Sequence, residues 1–250
     1  SFSSAVLFFL AKITQRWGYA RDFRSFLLTK KVQINEDILS GHQAHYYSSL
    51  LSGLGLSASP RSLDLPLDPA VKQNANALLV SQRINFQKPI VVLNPGAFYG
   101  SAKRWPSSRF AELATMLQEK NLANILIVGS ADELVLAQEI ASQMKRPPLI
   151  LSGKTTVSQL AGVLFHADLF VSNDSGPMHL ANSIKVPVVA IFGPTEPRRT
   201  GPYQQPSGVV KKDTDTDCWP CRYRECPTDH RCMESISAVD VYRACERFLQ

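Results

Sequence analysis

Leu169-Phe170-Val171-Ser172-Asn173-Asp174-Ser175-Gly176-Pro177-Met178-His179 packs a strand, a polar turn and the start of a helix into eleven residues. The strand is a continuous apolar run rather than an alternating one, which is the pattern of a strand buried on both faces. Pro177 falls near the first position of a helix that runs to Ile184, where its missing N–H costs nothing. The same alternation extends to either side. Pro89 to Leu93, Asn124 to Val128, Leu149 to Leu151 and Pro187 to Phe192 read as strands. Ser107 to Lys120, Asp132 to Met144 and Val157 to Phe165 read as helices, with apolar residues at three- and four-residue intervals. Strands that alternate with helices need crossover connections, and hence form a parallel sheet covered on both faces. Residues 88–250 are therefore expected to form an α/β, Rossmann-like domain. Residues 1–87 carry too few strands to complete a second one. They are expected to be a partial N-terminal domain, with Ala5 to Ala11 inside a buried helix, Asp37 to Leu54 helical, and Val80 to Lys88 a linker.

In an open α/β sheet, ligands bind beyond the carboxyl ends of the strands, so chemistry is sought in the loops that leave those ends. Three loops stand out. The first is Asn94 to Pro106, whose Gly96 and Gly100 allow close approach of backbone to a ligand. Its Lys103 and Arg104 offer cationic donors to phosphate. The second is the Ser172 to His179 turn, where the open amides and dipole of a helix N-terminus favour an anion. Asp174 or Ser175 also suits a plain helix cap there. The third is Gly129-Ser130-Ala131-Asp132-Glu133, in which Glu133 suits either a sugar hydroxyl or the first turn of a helix. It holds one glycine, short of a dinucleotide fingerprint.

Together these residues resemble the ADP-heptose:lipopolysaccharide heptosyltransferases, glycosyltransferase family 9. The likeness rests on Asn94-Pro95-Gly96-Ala97 with Lys103-Arg104-Trp105-Pro106, on Asn173 to Ala181, and on Phe192-Gly193-Pro194-Thr195. It continues through Cys218-Trp219-Pro220-Cys221, Arg224, Cys226-Pro227, His230 and Cys232-Met233, a segment most similar to the heptosyltransferase II branch. The resemblance implies a two-domain GT-B fold whose C-terminal domain binds ADP-heptose. It implies that Lys103 meets the donor phosphates and Glu133 a nucleoside hydroxyl. Asp174, Ser175, Gly176 and His179 would hold the pyrophosphate and sugar, and Thr155 would line the nucleotide pocket. The implied reaction transfers heptose, with inversion and without a metal, to the heptosyl-Kdo-lipid A inner core. Lys103→Ala is then expected to cost about 2–4 kcal/mol in the transition state, as loss of one such donor does. The family's acidic base sits in an opening loop not found here. The base, and further residues, are expected upstream of Ser1.

The bulk numbers narrow the alternatives. With 44% hydrophobic and 19% charged residues the chain is globular in composition. No apolar run nears the roughly 18 residues of a membrane helix. The net charge of +6 suits a polyanionic partner, whether nucleic acid, a phosphorylated substrate or the anionic inner face of a membrane. A zinc-containing nucleic-acid binder would gather arginines along one helix. Here the basic residues are scattered, so nucleic acid is not expected as a partner. A second alternative is another GT-B nucleotide-sugar enzyme of the epimerase kind. Four of the five cysteines, Cys218, Cys221, Cys226 and Cys232, crowd one segment beside His230. Such crowding argues against a disulfide-stapled secreted protein and for a cytoplasmic, reducing setting, with peripheral membrane contact. Their spacing leaves structural zinc and paired or free thiols both open. No cofactor is required by the reaction. Asp213-Thr214-Asp215-Thr216-Asp217 lacks the glycine and distant glutamate of a calcium loop and reads as a solvated acidic turn.

Overall fold

The structure is a computed structural model that describes residues 1–57, 62–204, 206–212 and 217–249, so the acidic turn, apart from Asp217, lies outside the described residues. The chain divides into two compact units: Ser1–Ser62 with Arg198–Thr200, and Leu63–Pro197 with Gly201–Gln250.

The smaller unit contains helix α1 (Phe2–Leu10), parallel strands β1 (Trp17–Tyr19) and β2 (Lys30–Val32), and helices α2 (Glu36–Ser40) and α3 (Gln43–Gly53). Its core is small, built on Tyr19, Val32 and Leu54. Helix α1 is not buried as expected: only Ala5 is, whereas Leu7 and Leu10 stay 63% and 69% exposed. A two-stranded sheet offers too little apolar area to cover a helix that is apolar all round. The expected single helix from Asp37 to Leu54 is interrupted at Gly41, after which the His42 ring accepts from the Ala44 amide and starts α3 anew.

The larger unit opens with α4 (Pro69–Ser81), started by Asp68, whose carboxylate accepts from the Ala70 amide at 2.7 Å. Then follow β3 (Ile90–Asn94), α5 (Ser107–Lys120), β4 (Asn124–Ile127), α6 (Leu134–Ser142), β5 (Leu149–Ile150) and α7 (Val157–Phe165). After these come β6 (Leu169–Asn173), α8 (Gly176–Ser183) and β7 (Val188–Ile191), then α9 (Pro197–Thr200), whose Arg198–Thr200 count with the smaller unit, and β8 (Ser207–Val210), α10 (Arg231–Glu234) and α11 (Ala238–Glu246). The boundary thus falls at residue 62, not at 87. Ala75 and Leu79 of α4 are buried against the sheet, so this helix belongs to the larger core. The expected linker from Val80 to Lys88 is the end of α4 and the turn that leads into β3.

All six strands of the larger unit are parallel, in spatial order β5-β4-β3-β6-β7-β8. Numbered by appearance within this sheet, the order is 3-2-1-4-5-6, the Rossmann arrangement. Val91 and Leu93 of β3 point into one core with α5, α6 and α11; Ile90 and Val92 point into the other with α4, α7 and α8. The strict alternation follows from the two-residue repeat of a strand. Because each face has its own helical cover, every residue of β3, β6 and β7 is buried. Connections leave β3 and β6 in opposite directions, and the crevice between their carboxyl ends is where this topology places a ligand. Among the described residues no helix is long and apolar enough to cross a membrane.

Candidate functional site

The crevice between β3 and β6 is braced by buried amides and hydroxyls. Asn94, the last residue of β3, donates from Nδ2 to the Ser172 hydroxyl at 3.1 Å and the Ser175 hydroxyl at 3.0 Å. Asn173, the last residue of β6, is fully buried and donates to the carbonyls of Pro95 and Gly96 at 2.8 and 3.2 Å. Its Oδ1 accepts from the Trp105 amide at 3.1 Å. Two chain segments about eighty residues apart are thereby fixed side by side. Trp105 anchors the outer end of the loop: its ring is buried edge-on to Phe110, and its indole N–H donates to the Ile236 carbonyl at 2.9 Å.

Above this frame lies a cleft of about 550 Å³. That is within the range of small-molecule sites. Asn94, Gly96, Phe98 and Arg104 come from the first loop, Ser175, Gly176 and Pro177 from the start of α8. The opposite wall is formed by Gly129, Ser130, Asp132 and Glu133, and by Thr155, Thr156, Val157 and Leu160. Phe98 is 96% exposed, an aromatic face held out beside the cleft. Glu133 closes the turn after β4, its carboxylate accepting from the Ser130 amide at 2.8 Å. The same carboxylate lies against Gly96, where an added Cβ would come within 1.9 Å of Oε1, so a side chain at this position would have to displace the carboxylate. Glu133 is therefore the first-turn acid its sequence position suits, and its side chain also forms part of the wall.

The cations divide into two kinds. Lys103 Nζ sits 2.5 Å from Asp174 Oδ2, with side chains 17% and 7% exposed. Thr195 donates to the same oxygen at 2.8 Å. Lys103 also lies 5.4 Å from the Tyr99 ring centroid. It is thus engaged beside the cleft, not among its lining residues. Arg104, half-buried, does line the cleft, and its Nε is buried with no hydrogen-bond partner. A desolvated guanidinium nitrogen without a partner costs on the order of 1–3 kcal/mol, a cost that an anionic ligand would remove.

At the start of α8 the amides are fewer than a generic helix N-terminus supplies. Pro177 has none, and the Met178 amide turns back to the Ser175 carbonyl at 3.2 Å. Gly176 opens α8 and lines the cleft, and a Cβ there would meet nothing within 4 Å, so the backbone is unobstructed at this point. Of the residues singled out by sequence, Glu133, Thr155, Ser175 and Gly176 share the cleft. Lys103 and Asp174 form their pair next to it. His179 is exposed on α8 and is not among the lining residues. The bracing roles of Asn94, Ser172 and Asn173 were not singled out. Their signal was the polar residue that ends each of two otherwise apolar strands.

The cysteine-rich segment, 217–233, packs behind the first loop. The Ala102 amide donates to the Arg224 carbonyl at 3.0 Å, the Tyr99 hydroxyl to the Arg222 carbonyl at 2.8 Å, and Arg224 Nε to the Tyr99 carbonyl at 2.8 Å. Cys218, Cys221, Cys226, Cys232, His230 and Trp219 line one hollow, and all five cysteines of the chain are free thiols. Burial, and then the nearness of the other three sulfurs, pushes the Cys232 thiol up to about 11. Among the described residues no group of three or more His, Cys, Asp or Glu side chains is placed so that it could hold a metal ion.

A family model for glycosyltransferase family 9 (heptosyltransferase) matches residues 1–231. The lipooligosaccharide heptosyltransferase 2 of Campylobacter jejuni subsp. jejuni serotype O:2 is 30% identical over 263 residues, covering 100% of this chain and 73% of its own length. The lipopolysaccharide heptosyltransferase 2 of Salmonella typhimurium is 29% identical over 219 residues, covering 84% of this chain and 62% of its own. Among solved structures, the ADP-heptose LPS heptosyltransferase II of E. coli superposes with a TM-score of 0.75 at 23% identity, over 100% of this chain and 74% of that one. A glycosyl transferase family 9 protein from Veillonella parvula DSM 2008 gives 0.80 at 24%, over 100% and 71%. These likenesses give the chain the GT-B type of α/β fold.

Proposed function

The chain belongs to glycosyltransferase family 9, the heptosyltransferases, and from that membership we propose that its cleft binds ADP-heptose and serves heptose transfer to the lipid A-linked inner core of lipopolysaccharide. One observation carries the reading of the site: Arg104, whose Nε has no partner, and the unobstructed backbone of Gly176 line the same cleft at the sheet's switch point. A diphosphate laid between them satisfies the first and can approach the second closely. The nucleoside then falls toward Glu133 and Thr155, with Phe98, Val157 and Leu160 as apolar surface for the base. His179, exposed on α8 and outside the cleft lining, is the resemblance's candidate donor to the sugar.

Heptose transfer displaces ADP when an acceptor hydroxyl attacks the anomeric carbon from the opposite face. As the glycosidic bond to phosphate breaks, charge grows on the leaving pyrophosphate. Fixed donors that do not reorganise stabilise that charge more in the transition state than in the ground state. Arg104 meets this description directly. Lys103 contributes through the field of its pair with Asp174, which holds its ammonium in place and partly cancels its charge. The acceptor hydroxyl also needs a base, and none is assigned among the cleft residues. A metal is not needed for the charge bookkeeping, and a lipid-anchored acceptor favours a working position at the inner face of the cytoplasmic membrane.

ADP added to the purified chain is expected to raise its Tm, because a ligand that binds only the folded state stabilises it. Transfer is read as mass gain of a heptosyl-Kdo-lipid A acceptor supplied with ADP-heptose. If ADP at millimolar concentration leaves Tm unmoved, the donor-site reading fails. If ADP binds and the heptosyl-Kdo-lipid A acceptor neither binds nor gains mass, the acceptor assignment fails.

A further inference from the structure

The hollow behind the first loop has room of about 20 Å³, enough for one water-sized occupant. Four sulfurs and one imidazole surround it. Trp219 Nε1 is buried with no acceptor, and it lines this same hollow. A thiolate accepts an indole N–H better than a thiol does. Cations flank the segment: Lys211 lies 3.7 Å from the Trp219 ring centroid, and Arg224 lies 5.8 Å from the Tyr99 ring centroid. His230 takes a left-handed backbone conformation, φ 55°, and its Nε2 is 2.8 Å from the Ala102 carbonyl. Because a carbonyl only accepts, Nε2 carries the proton and Nδ1 is left to offer a lone pair. A ring N–H committed to a backbone carbonyl is how proteins orient metal-binding histidines.

We propose that Cys218, Cys221, Cys226 and Cys232 close around one zinc ion, with His230 as a reserve ligand, and that the ion pins this segment against the loop carrying Lys103 and Arg104. Four thiolates from one short segment suit a tetrahedral, redox-inert ion. On binding, each thiol gives its proton to solvent and a lone pair to the metal. The sulfurs must move together to bind, since among the described residues no three such side chains are placed where they could hold an ion. Closure is transmitted directly, because Arg222, Arg224 and His230 within the segment hold Tyr99 and Ala102 of the loop. An added Cβ at Gly100 would come within 2.1 Å of the Arg224 carbonyl, so loop and segment are in contact along their backbones. The zinc would be structural. This inference stands independently of which sugar the cleft accepts.

The test uses the full chain, purified without an affinity tag that binds metal, then reduced, stripped with chelator and returned to zinc. One zinc per chain is expected by elemental analysis, with four thiols protected from Ellman's reagent on reloading and exposed again on chelation. Cobalt added to the stripped chain is expected to give the sulfur-to-cobalt charge-transfer absorption of a tetrahedral thiolate site. Because Cys→Ser variants in this segment threaten folding, the cobalt spectrum of the unaltered chain is the deciding readout. Cys245→Ser, outside the cluster, is expected to leave it unchanged. Zinc is also expected to slow amide exchange in residues 98–104 by about tenfold, as an element moves to a more stable opening unit. Substoichiometric zinc with no thiolate band overturns the site, as does a pair of disulfides in the native chain. A bound ion with unchanged exchange in the loop overturns the pinning.

Discussion

Lys103 and Arg104 are adjacent in sequence and opposite in circumstance. The lysine is held at 2.5 Å by Asp174, with Thr195 on the same carboxylate; the arginine lines the cleft and has a buried nitrogen that bonds to nothing. The difference separates scaffolding from readiness. A buried polar group whose partners are supplied within the chain fixes geometry, whereas one left wanting marks where something from outside completes it. The loop offered phosphate both Lys103 and Arg104, and the family resemblance pointed to Lys103; burial and pairing are the reasons for proposing Arg104 as the first contact.

Four measurements break or sharpen this contrast. Lys103→Ala leaves Asp174 without its cation in a nearly buried position and is expected to cost about 3 kcal/mol of stability, read by urea unfolding. Asp174→Asn on that background is expected to recover part of the loss; no recovery would mean the pair is not what the lysine supports. Asn173→Ala removes three hydrogen bonds that join the two loops and is expected to cost about 2–3 kcal/mol, seen as a lower Tm. Arg104→Ala should barely change Tm yet weaken ADP binding by roughly tenfold to a hundredfold, since a hydrogen bond to a charged group is worth about 1.5–3 kcal/mol. Equal ADP affinity in this variant would return the phosphate to Lys103.

The smallest effect lies far from the cleft. The Ser237 hydroxyl and amide, and then Lys212, hold the Asp240 carboxyl down at about 2. Its folded pKa is depressed, so its contribution is present above the usual carboxylate range and is lost as pH falls toward 2. Asp240→Asn is expected to flatten the acid limb of a Tm-against-pH profile between about pH 4 and pH 2 while leaving ADP affinity as it was.

Much of the sheet was legible because strands buried on both faces read as apolar runs, as Ile90 to Leu93 and Leu169 to Val171 do. Edge strand β8 was not: Ser207 and Gly208 carry no apolar signal, and Val209 is 45% exposed. Helix α4 escaped notice since only Ala75 and Leu79 are buried along it. Helix α11 did carry a signal, Ser237 three residues before Asp240, ahead of Val241, Tyr242 and Cys245. In the site, Glu133, Thr155, Ser175 and Gly176 followed from the rule about strand ends and from the resemblance. The Lys103–Asp174 pair joins residues 71 apart, and no local pattern announces such a partner.

The indole N–H of Trp105 reaches a carbonyl 131 residues later in the chain. On the ribosome, Trp105 is made long before Ile236 exists. At roughly 5–20 residues per second, the wait is several seconds or more, spent with a large aromatic ring and a polar N–H both lacking their berth. The donor loop therefore matures last, after most of the sheet that carries it can already have paired. A nascent chain stalled short of Ile236 would present β3 and β6 in place beneath a rim still unlatched.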